Sequence, residues 1–343
     1  MLKFKIDKLN ELFDTISAET PLALPLEKAG EADYGRYEKG AKTALGVLKT
    51  AKSPKDLFFP QSETLMKFKT EGKNLAVEAP DENVTPFVLF GVKACDYKAF
   101  EVLDRVFLAD PVDTYYQSKR NAATIVTLAC SKPEESCFCK VFGIDAAAPL
   151  GDVTTWMDET YLYWQANTNK GESLTEKVRA FAEEGGEDAV AKQQKATREI
   201  IDKLPFSHLD LSYFKENGTK EIFDRPEWKE LSEACLACGT CTFVCPTCQC
   251  FDIREFRSAK NEVIRYRCWD SCMYSDFTQM AGGNNRTTQM QRYRQRFMHK
   301  LVYYPENNGG LFSCVGCGRC VNKCPQKLNI VKVAKALGGK KND

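Results

Sequence analysis

Cysteine spacing constrains this chain more than any other feature. Cys235, Cys238, Cys241 and Cys245 follow the pattern C-x-x-C-x-x-C-x-x-x-C, with Pro246 next. Cys314, Cys317, Cys320 and Cys324 repeat it, with Pro325 next. Three thiolates two residues apart can wrap one cubane in a tight loop, and the proline then turns the chain away. Where two such runs share a chain, the fourth cysteine of each ligates the other cluster. The spacing therefore assigns Cys235, Cys238, Cys241 and Cys324 to one 4Fe-4S cluster, and Cys314, Cys317, Cys320 and Cys245 to a second. Zinc knuckles pair two C-x-x-C units across a longer loop, which is not the pattern here. Each cluster has four protein ligands, so the pair can pass single electrons but offers no open iron to a substrate. Gly239, Gly316 and Gly318 lie inside the loops. Glycine tolerates positive φ and close approach, so backbone N–H groups can face the cluster sulfurs.

The rest of the composition agrees with a redox protein of the cell interior. Sixteen cysteines occur in 343 residues, with no secretory signal at the charged N-terminus "MLKFKIDKLNELFD". Thiols of a cytoplasmic chain stay reduced, so clustered cysteines bind metal or do redox work. Basic and acidic side chains number 48 and 47. That balance argues against a nucleic-acid partner, which would select a basic excess. No apolar run approaches the roughly 18 residues of a membrane span.

The chain reads as two domains. Residues 1–215 are expected to form a mixed α/β domain ending in a helical connector. Residues 216–343 are expected to form an α-helical ferredoxin-like dicluster domain. "TPFVLFGV" (Thr85–Val92) and "ATIVTLAC" (Ala123–Cys130) read as buried strands, and "ETYLYWQA" (Glu159–Ala166) as a third. Between the first two, Phe100, Leu103, Val106 and Phe107 recur at helical spacing, which predicts a strand–helix–strand unit with parallel strands. Residues 170–203 read as solvated helices broken near "EEGGED". The 68 residues between Cys245 and Cys314 read as helical, with "AGGNNR" a glycine-rich helix break and "MQRYRQRFMHKLVYYPEN" a basic amphipathic helix. Arg319 and Lys323 lie in the second cysteine loop with no acid beside them. They are expected either to be solvated or to favour the reduced cluster.

Eight cysteines remain. Cys95 and Cys130 stand at or just past the carboxyl ends of the two central strands, where ligand sites of parallel sheets form. Cys137 and Cys139 follow on a short loop. These four could hold a third cluster; loop cysteines without metal, a zinc site and a thiol switch stay open as alternatives. Cys248, Cys250 and Cys272 are further candidates. With Cys268 they could equally pack around the first cluster.

No G-x-G-x-x-G follows a strand, so no nucleotide or flavin site is visible. Electrons must then come from, or go to, another subunit. A free-standing electron carrier and a redox-sensing iron–sulfur protein are the competing readings. Carriers, however, are small and acidic for steering, and this chain is neither.

The stretches "GVKACDYKAFEVLDRVFL", "CFC", "CLACGTCTFVCPTCQCFD", "WDSCMYSDFTQMAGGNNR", "RYRQRFMHK" and "CVGCGRCVNKCP" occur in this order over most of the chain. In that order they resemble the iron–sulfur subunit family that includes the A subunit of anaerobic sulfite reductase and the β subunit of archaeal sulfhydrogenase. Related subunits accompany flavin NADH oxidoreductases coupled to heterodisulfide-reductase-like complexes. The resemblance implies a cytoplasmic subunit relaying electrons between a flavin/NAD(P)H-binding subunit and a terminal reductase or hydrogenase. It carries the ligand role onto the eight cysteines of the two runs. It also marks Cys95, Cys137, Cys139, Cys248, Cys250 and Cys272 as recurrent positions, and Cys268 as a less typical one.

Overall fold

The computed structural model describes residues 1–80 and 83–338. Its largest element is an eight-stranded sheet. The strands are β1 (Leu2–Lys5), β2 (Leu22–Lys28), β3 (Glu31–Arg36), β6 (Phe87–Val92), β7 (Ala123–Leu128), β8 (Val153–Met157), β9 (Tyr161–Ala166) and β10 (Glu183–Glu184). They lie in the order β10-β1-β9-β8-β7-β6-β2-β3. β2, β6, β7 and β8 pair in parallel at the centre; the flanking pairs are antiparallel. The three strands read from the sequence are present, and the first two are parallel neighbours as their intervening helix required.

Both faces of the sheet are covered, which explains why β6 and β7 read as continuous apolar runs. Helices α1 (Leu9–Glu19) and α4 (Asn169–Val178) bury Leu12, Phe13, Ile16 and Leu174 against Phe90, Leu128 and Trp164. On the other face, α2 (Ala94–Phe107) and α3 (Thr114–Ala122) bury Phe100, Leu103 and Tyr116 against Leu89 and Ile125. Helix α5 (Glu187–Asp202) begins after Gly185 and Gly186, both at positive φ, at the break foreseen near "EEGGED". α4 and α5 are not merely solvated, however. α4 puts Leu174 and Val178 into the core, and α5 puts Val190 and Ile201 there. One buried position per turn is enough to seat a helix whose other faces are charged.

A second, four-stranded sheet corrects the helical reading of the segment between the two cysteine runs. That segment opens with a hairpin, β11 (Phe251–Ala259) and β12 (Glu262–Trp269). β12 pairs with β4 (Ser62–Glu71), which pairs with β5 (Asn74–Glu78), giving the order β11-β12-β4-β5. The sheet thus takes strands from both sides of residues 215/216. The alternating "EVIRYRCW" with a Lys-Asn turn before it is a period-two signal that the charged composition hid. "AGGNNR" is also not a helix break: Gln279–Met280 and Gly283–Asn284 form a short antiparallel ladder.

The basic segment is helical. Gln289–Met298 is α-helix, opened by a capping box between Thr288 and Gln291; His299–Tyr303 is a π turn; Tyr304–Asn307 resumes the α-helix. It packs with Trp228, Leu231 and the terminal helix Ile330–Gly338 in a core that also touches Cys235, Cys241, Cys314, Cys320 and Cys324. No helix among the described residues is long and apolar enough to cross a membrane.

Candidate metal centre

The two tetracysteine runs come together as the spacing requires. Cys235, Cys238, Cys241 and Cys324 line one cavity, with Tyr293 and Arg296. Cys245, Cys314, Cys317 and Cys320 line a second, with Arg296 and Lys300. The fourth cysteine of each run has crossed to the other's cavity. Among the described residues no three His, Cys, Asp or Glu side chains converge on a point that would hold a single ion. The cysteines ring a volume instead, as a cubane with iron at its corners demands.

Short helices position the thiols. Gly239 and Gly318 precede helices Thr240–Phe243 and Arg319–Lys323 in left-handed conformation, and Gly316 is left-handed too. A Cβ on Gly316 would lie 2.5 Å from the Phe138 carbonyl, and one on Gly318 would lie 2.4 Å from that of Ser136. So the glycines of the second loop permit close approach to the Ser136–Cys139 backbone, a demand the sequence reading had placed at the cluster. The Phe138 amide donates to the Gly316 carbonyl at 2.9 Å.

Buried cations without carboxylate partners test whether an anionic cluster fits. Arg296 is buried and lines both cavities. Its Nη2 donates to the Cys241 carbonyl at 3.0 Å, while Nε and Nη1 have no partner. Lys300, also buried, donates to Thr247 Oγ1 at 2.8 Å and to the Ser313 carbonyl at 2.9 Å. Lys55 is buried as well; it donates to the carbonyls of Cys245 (3.0 Å) and Cys248 (2.8 Å), and its ammonium sits 3.9 Å from the Trp269 ring centroid. An unpaired buried charge costs several kcal/mol, so an anion is the expected neighbour. Two sets of four thiolates around cubanes supply it. The residues fit the group.

Burial opposes the thiolate form at most of these cysteines, and the cations oppose burial. Burial pushes the Cys241 thiol up to about 11 and Cys317 up to about 12, and it raises Cys314. A hydrogen bond from Cys248 holds Cys245 well below the ordinary thiol range. Burial alone would lower Lys300 and Arg296, but neighbouring thiolates, Cys245 for Lys300 and Cys241 for Arg296, outweigh it and hold both cations firmly protonated. Thiolates and cations thus depend on each other.

Several contacts to sulfur were invisible in the sequence. Gln289 Nε2 donates to Cys235 Sγ at 3.3 Å, and the Leu328 amide donates to Cys324 Sγ at 3.3 Å. Thr247 Oγ1 is 3.2 Å from Cys245 Sγ. Such hydrogen bonds are a main control on cluster potential. Gln289 and Lys300 lie in the basic helix, whose amphipathic pattern was the only available signal. Arg319 overturns the expectation of a solvated charge. It is buried and forks onto the Asp96 carboxylate at 2.6 and 2.8 Å. The acid missing from its own loop comes from α2, 223 residues away. Lys323 is exposed as expected and lies 3.5 Å from Glu31.

The other cysteines divide into two groups and one outlier. Cys95, at the start of α2, Cys130, just past β7, Cys137 and Cys139 meet beside Cys317. Cys248, Cys250 and Cys272 gather beside Cys245, with hydrogen bonds linking Cys248 to Cys245 and Cys250 to Cys272. Cys268 joins neither group. It lies in β12 opposite Asp252 and Ser62, with Arg254 and Asp270 also nearby.

Residues 234–328 match the family model of a 4Fe-4S dicluster domain. The chain is 33% identical over 299 residues to the sulfhydrogenase 2 subunit beta of Pyrococcus furiosus, a match covering 84% of each chain. No solved structure matches. With two crossed four-cysteine cavities at the centre of that similarity, the chain belongs to the sulfhydrogenase β-subunit family of iron–sulfur electron-transfer proteins.

Proposed function

We propose that this protein is the relay subunit of a cytoplasmic multi-subunit oxidoreductase. It moves single electrons through two 4Fe-4S clusters between a flavin/NAD(P)H-binding subunit and a terminal catalytic partner. The observation that carries the reading is the pair of four-cysteine cavities sharing one wall at Arg296. Clusters bound there supply one-electron chemistry. The protein's own contribution is to hold the thiols, exclude water from the second cavity and set charge around both. Cys235, Cys238, Cys241 and Cys324 would hold the first cluster; Cys314, Cys317, Cys320 and Cys245 would hold the second.

One surface feature supports a partnered role. The first cavity reaches the surface, since Cys238 and Leu236 are exposed. An electron could enter or leave there. The four-stranded sheet exposes single apolar side chains at both edges, Leu75 and Val77 on β5 and Ile253 and Phe256 on β11. The relative in Pyrococcus furiosus is named as a sulfhydrogenase subunit, and a hydrogenase is one candidate for the terminal partner. A sulfite reductase or a heterodisulfide-reductase-like enzyme is another.

Anaerobic purification of the native protein tests this reading. A flavoprotein is expected to copurify; a lone monomer carrying no flavoprotein would overturn the subunit role. Cys241→Ser is expected to remove one cluster and destabilise the C-terminal half, because cluster binding contributes folding free energy. Unchanged iron content and an unchanged reduced-state EPR spectrum would overturn the ligand assignment.

A further inference from the structure

The Cys95, Cys130, Cys137 and Cys139 group is not explained by the two ferredoxin runs, and its placement is specific. β6 and β7 are parallel neighbours, so the chain segments leaving their carboxyl ends lie side by side. β6 leads through Lys93 into α2, whose second residue is Cys95. β7 leads directly to Cys130, whose amide donates to Ala146 at 2.9 Å and whose carbonyl accepts from Thr197 Oγ1 at 3.1 Å. Cys137 and Cys139 follow on the loop that the Gly316 and Gly318 contacts press against the second cysteine run. Three segments, α2, the end of β7 and the Cys137–Cys139 loop, bring the four thiols together.

Three of the four thiols are buried and Cys95 is half-buried, and Lys93, Lys49 and Arg319 lie near the set. Cys130, Cys137 and Cys139 are 7–8% exposed, and none of the four forms a disulfide. Cys130 and Cys139 share an apolar cluster with Ala94, Ile144, Val315 and Cys317, and Cys95 packs against it. Burial pushes Cys139 up to about 12 and raises Cys95 and Cys130. The charged groups facing the set are Lys93, Lys49, Asp96 and Arg319. Asp96 is already paired with Arg319, and Lys49 donates to Ser136 Oγ at 2.6 Å and Glu134 at 2.9 Å. Lys93 has no carboxylate partner among the described salt bridges, yet its charged neighbours are Cys130, Cys95 and Asp96. Burial pulls Lys93 down, whereas Lys300 beside Cys245 and Cys314 stays protonated.

We propose that Cys95, Cys130, Cys137 and Cys139 bind a third iron–sulfur cluster, placed beside the second through Cys317. The proposal rests on the relay reading above and extends it. The electron path then runs from the exposed first cavity, past Arg296, into the second, and on to the carboxyl edge of the large sheet. Transfer between neighbouring clusters oxidises one by the single electron that reduces the next, and it breaks no bond. The edge of the sheet becomes a second terminal for a partner, remote from Cys238.

The test uses the full-length chain, reconstituted anaerobically with ferrous iron and sulfide. Iron, acid-labile sulfide and zinc are measured per chain, with EPR of the reduced protein. Wild type is expected to hold about twelve irons, and Cys137→Ser/Cys139→Ser about eight, with the signals of the other two clusters unchanged. The control Cys268→Ser, at the cysteine that joins neither group, is expected to keep about twelve. Should the double variant fail to fold, the single change Cys130→Ser replaces sulfur by oxygen in a packed position. It is expected to alter one EPR signal and leave two. The proposal is overturned by about eight irons in wild type with both cluster signals present, or by stoichiometric zinc. A Cys130→Ser spectrum identical to wild type would overturn it equally. Wild type holding about four irons or fewer would instead sink the two-cluster reading beneath it.

Discussion

At the residue scale, buried cations decide how this site differs from a small ferredoxin. Arg296 faces both cavities and has two nitrogens without partners. A positive charge near a cluster favours the reduced, more negative state. At an effective dielectric of about 20 a unit charge within several ångström contributes roughly 2–3 kcal/mol, which is on the order of 100 mV for one electron. Arg296→Met is therefore expected to lower the potentials of both clusters by tens of millivolts, measured by EPR-monitored redox titration. A shift confined to one cluster would show that Arg296 does not act on both. His299, next to Lys300, gives a pH signature. Burial, then the charges of Lys300 and Arg286, pull it down to about 4. Between the unfolded value of about 6.5 and this folded value, only the unfolded chain takes up a proton. Stability should therefore fall as pH drops through that window. Allowing for the residue's partial exposure, the loss is about 2 kcal/mol. His299→Gln should flatten the decline in denaturant titrations of the full chain.

At the element scale, the hairpin and the glycine loop hold the site against the rest of the protein. Arg267 on β12 is buried; its Nε donates to Glu63 on β4 at 2.7 Å, and it also pairs with Asp113 at the start of α3. Trp269, at the end of the same strand, stacks on Phe59 and Phe243, so β12 ties the first cysteine loop to the large sheet's flank. Arg267→Met would leave Asp113 without its cation, while Glu63 keeps Lys119, and cost about 1–3 kcal/mol. Hydrogen exchange should then accelerate through β4 and β12 before it does so in β6 or β7; uniform acceleration would contradict a local role. Gly316→Ala places a methyl group 2.5 Å from the Phe138 carbonyl at a positive φ. A cost of at least about 1–3 kcal/mol follows from the backbone strain alone. Thermal unfolding of the loaded protein measures it. The π turn at His299–Tyr303 is a related device: an extra residue in the helix re-aims Lys300 toward Cys245 and Cys314.

At the scale of the whole molecule, one buried ion pair joins the two cysteine systems. Arg319 follows Gly318 in the second run, and Asp96 follows Cys95 at the carboxyl edge of the sheet. Both are almost completely inaccessible, at 3% and 1%. Asp96→Asn should cost about 3–5 kcal/mol by leaving Arg319 unpaired in the interior. Asp96→Asn with Arg319→Met should recover part of that loss, and the coupling is read from a double-mutant cycle. Independent effects would mean that the pair is not the joint between the two halves.

Legibility followed the range of the interactions. That the two runs share cavities, the fourth cysteine of each crossing to the other's, was readable, because the spacing is local and the crossing is a property of two proline-tagged runs. β6, α2 and β7 were readable from their periodicities. The hairpin β11–β12 was not: its strands are polar and half exposed, and what makes them strands is pairing with β4, almost 200 residues earlier. Nor were Arg296, Lys300 and Lys55 recognisable as site residues. A basic amphipathic helix reads as a solvated face unless something anionic lies beneath it, and no local pattern says so. The sequence by itself determined an iron–sulfur dicluster domain and the pairing of its two cysteine runs, since covalent ligand geometry tolerates little variation in spacing. Only the tertiary structure decided which charges face them, which loop presses on which, and that four further cysteines meet beside Cys317. Those depend on burial and long-range pairing, where the cost of an uncompensated charge or a clashing Cβ is set by residues far away in the chain.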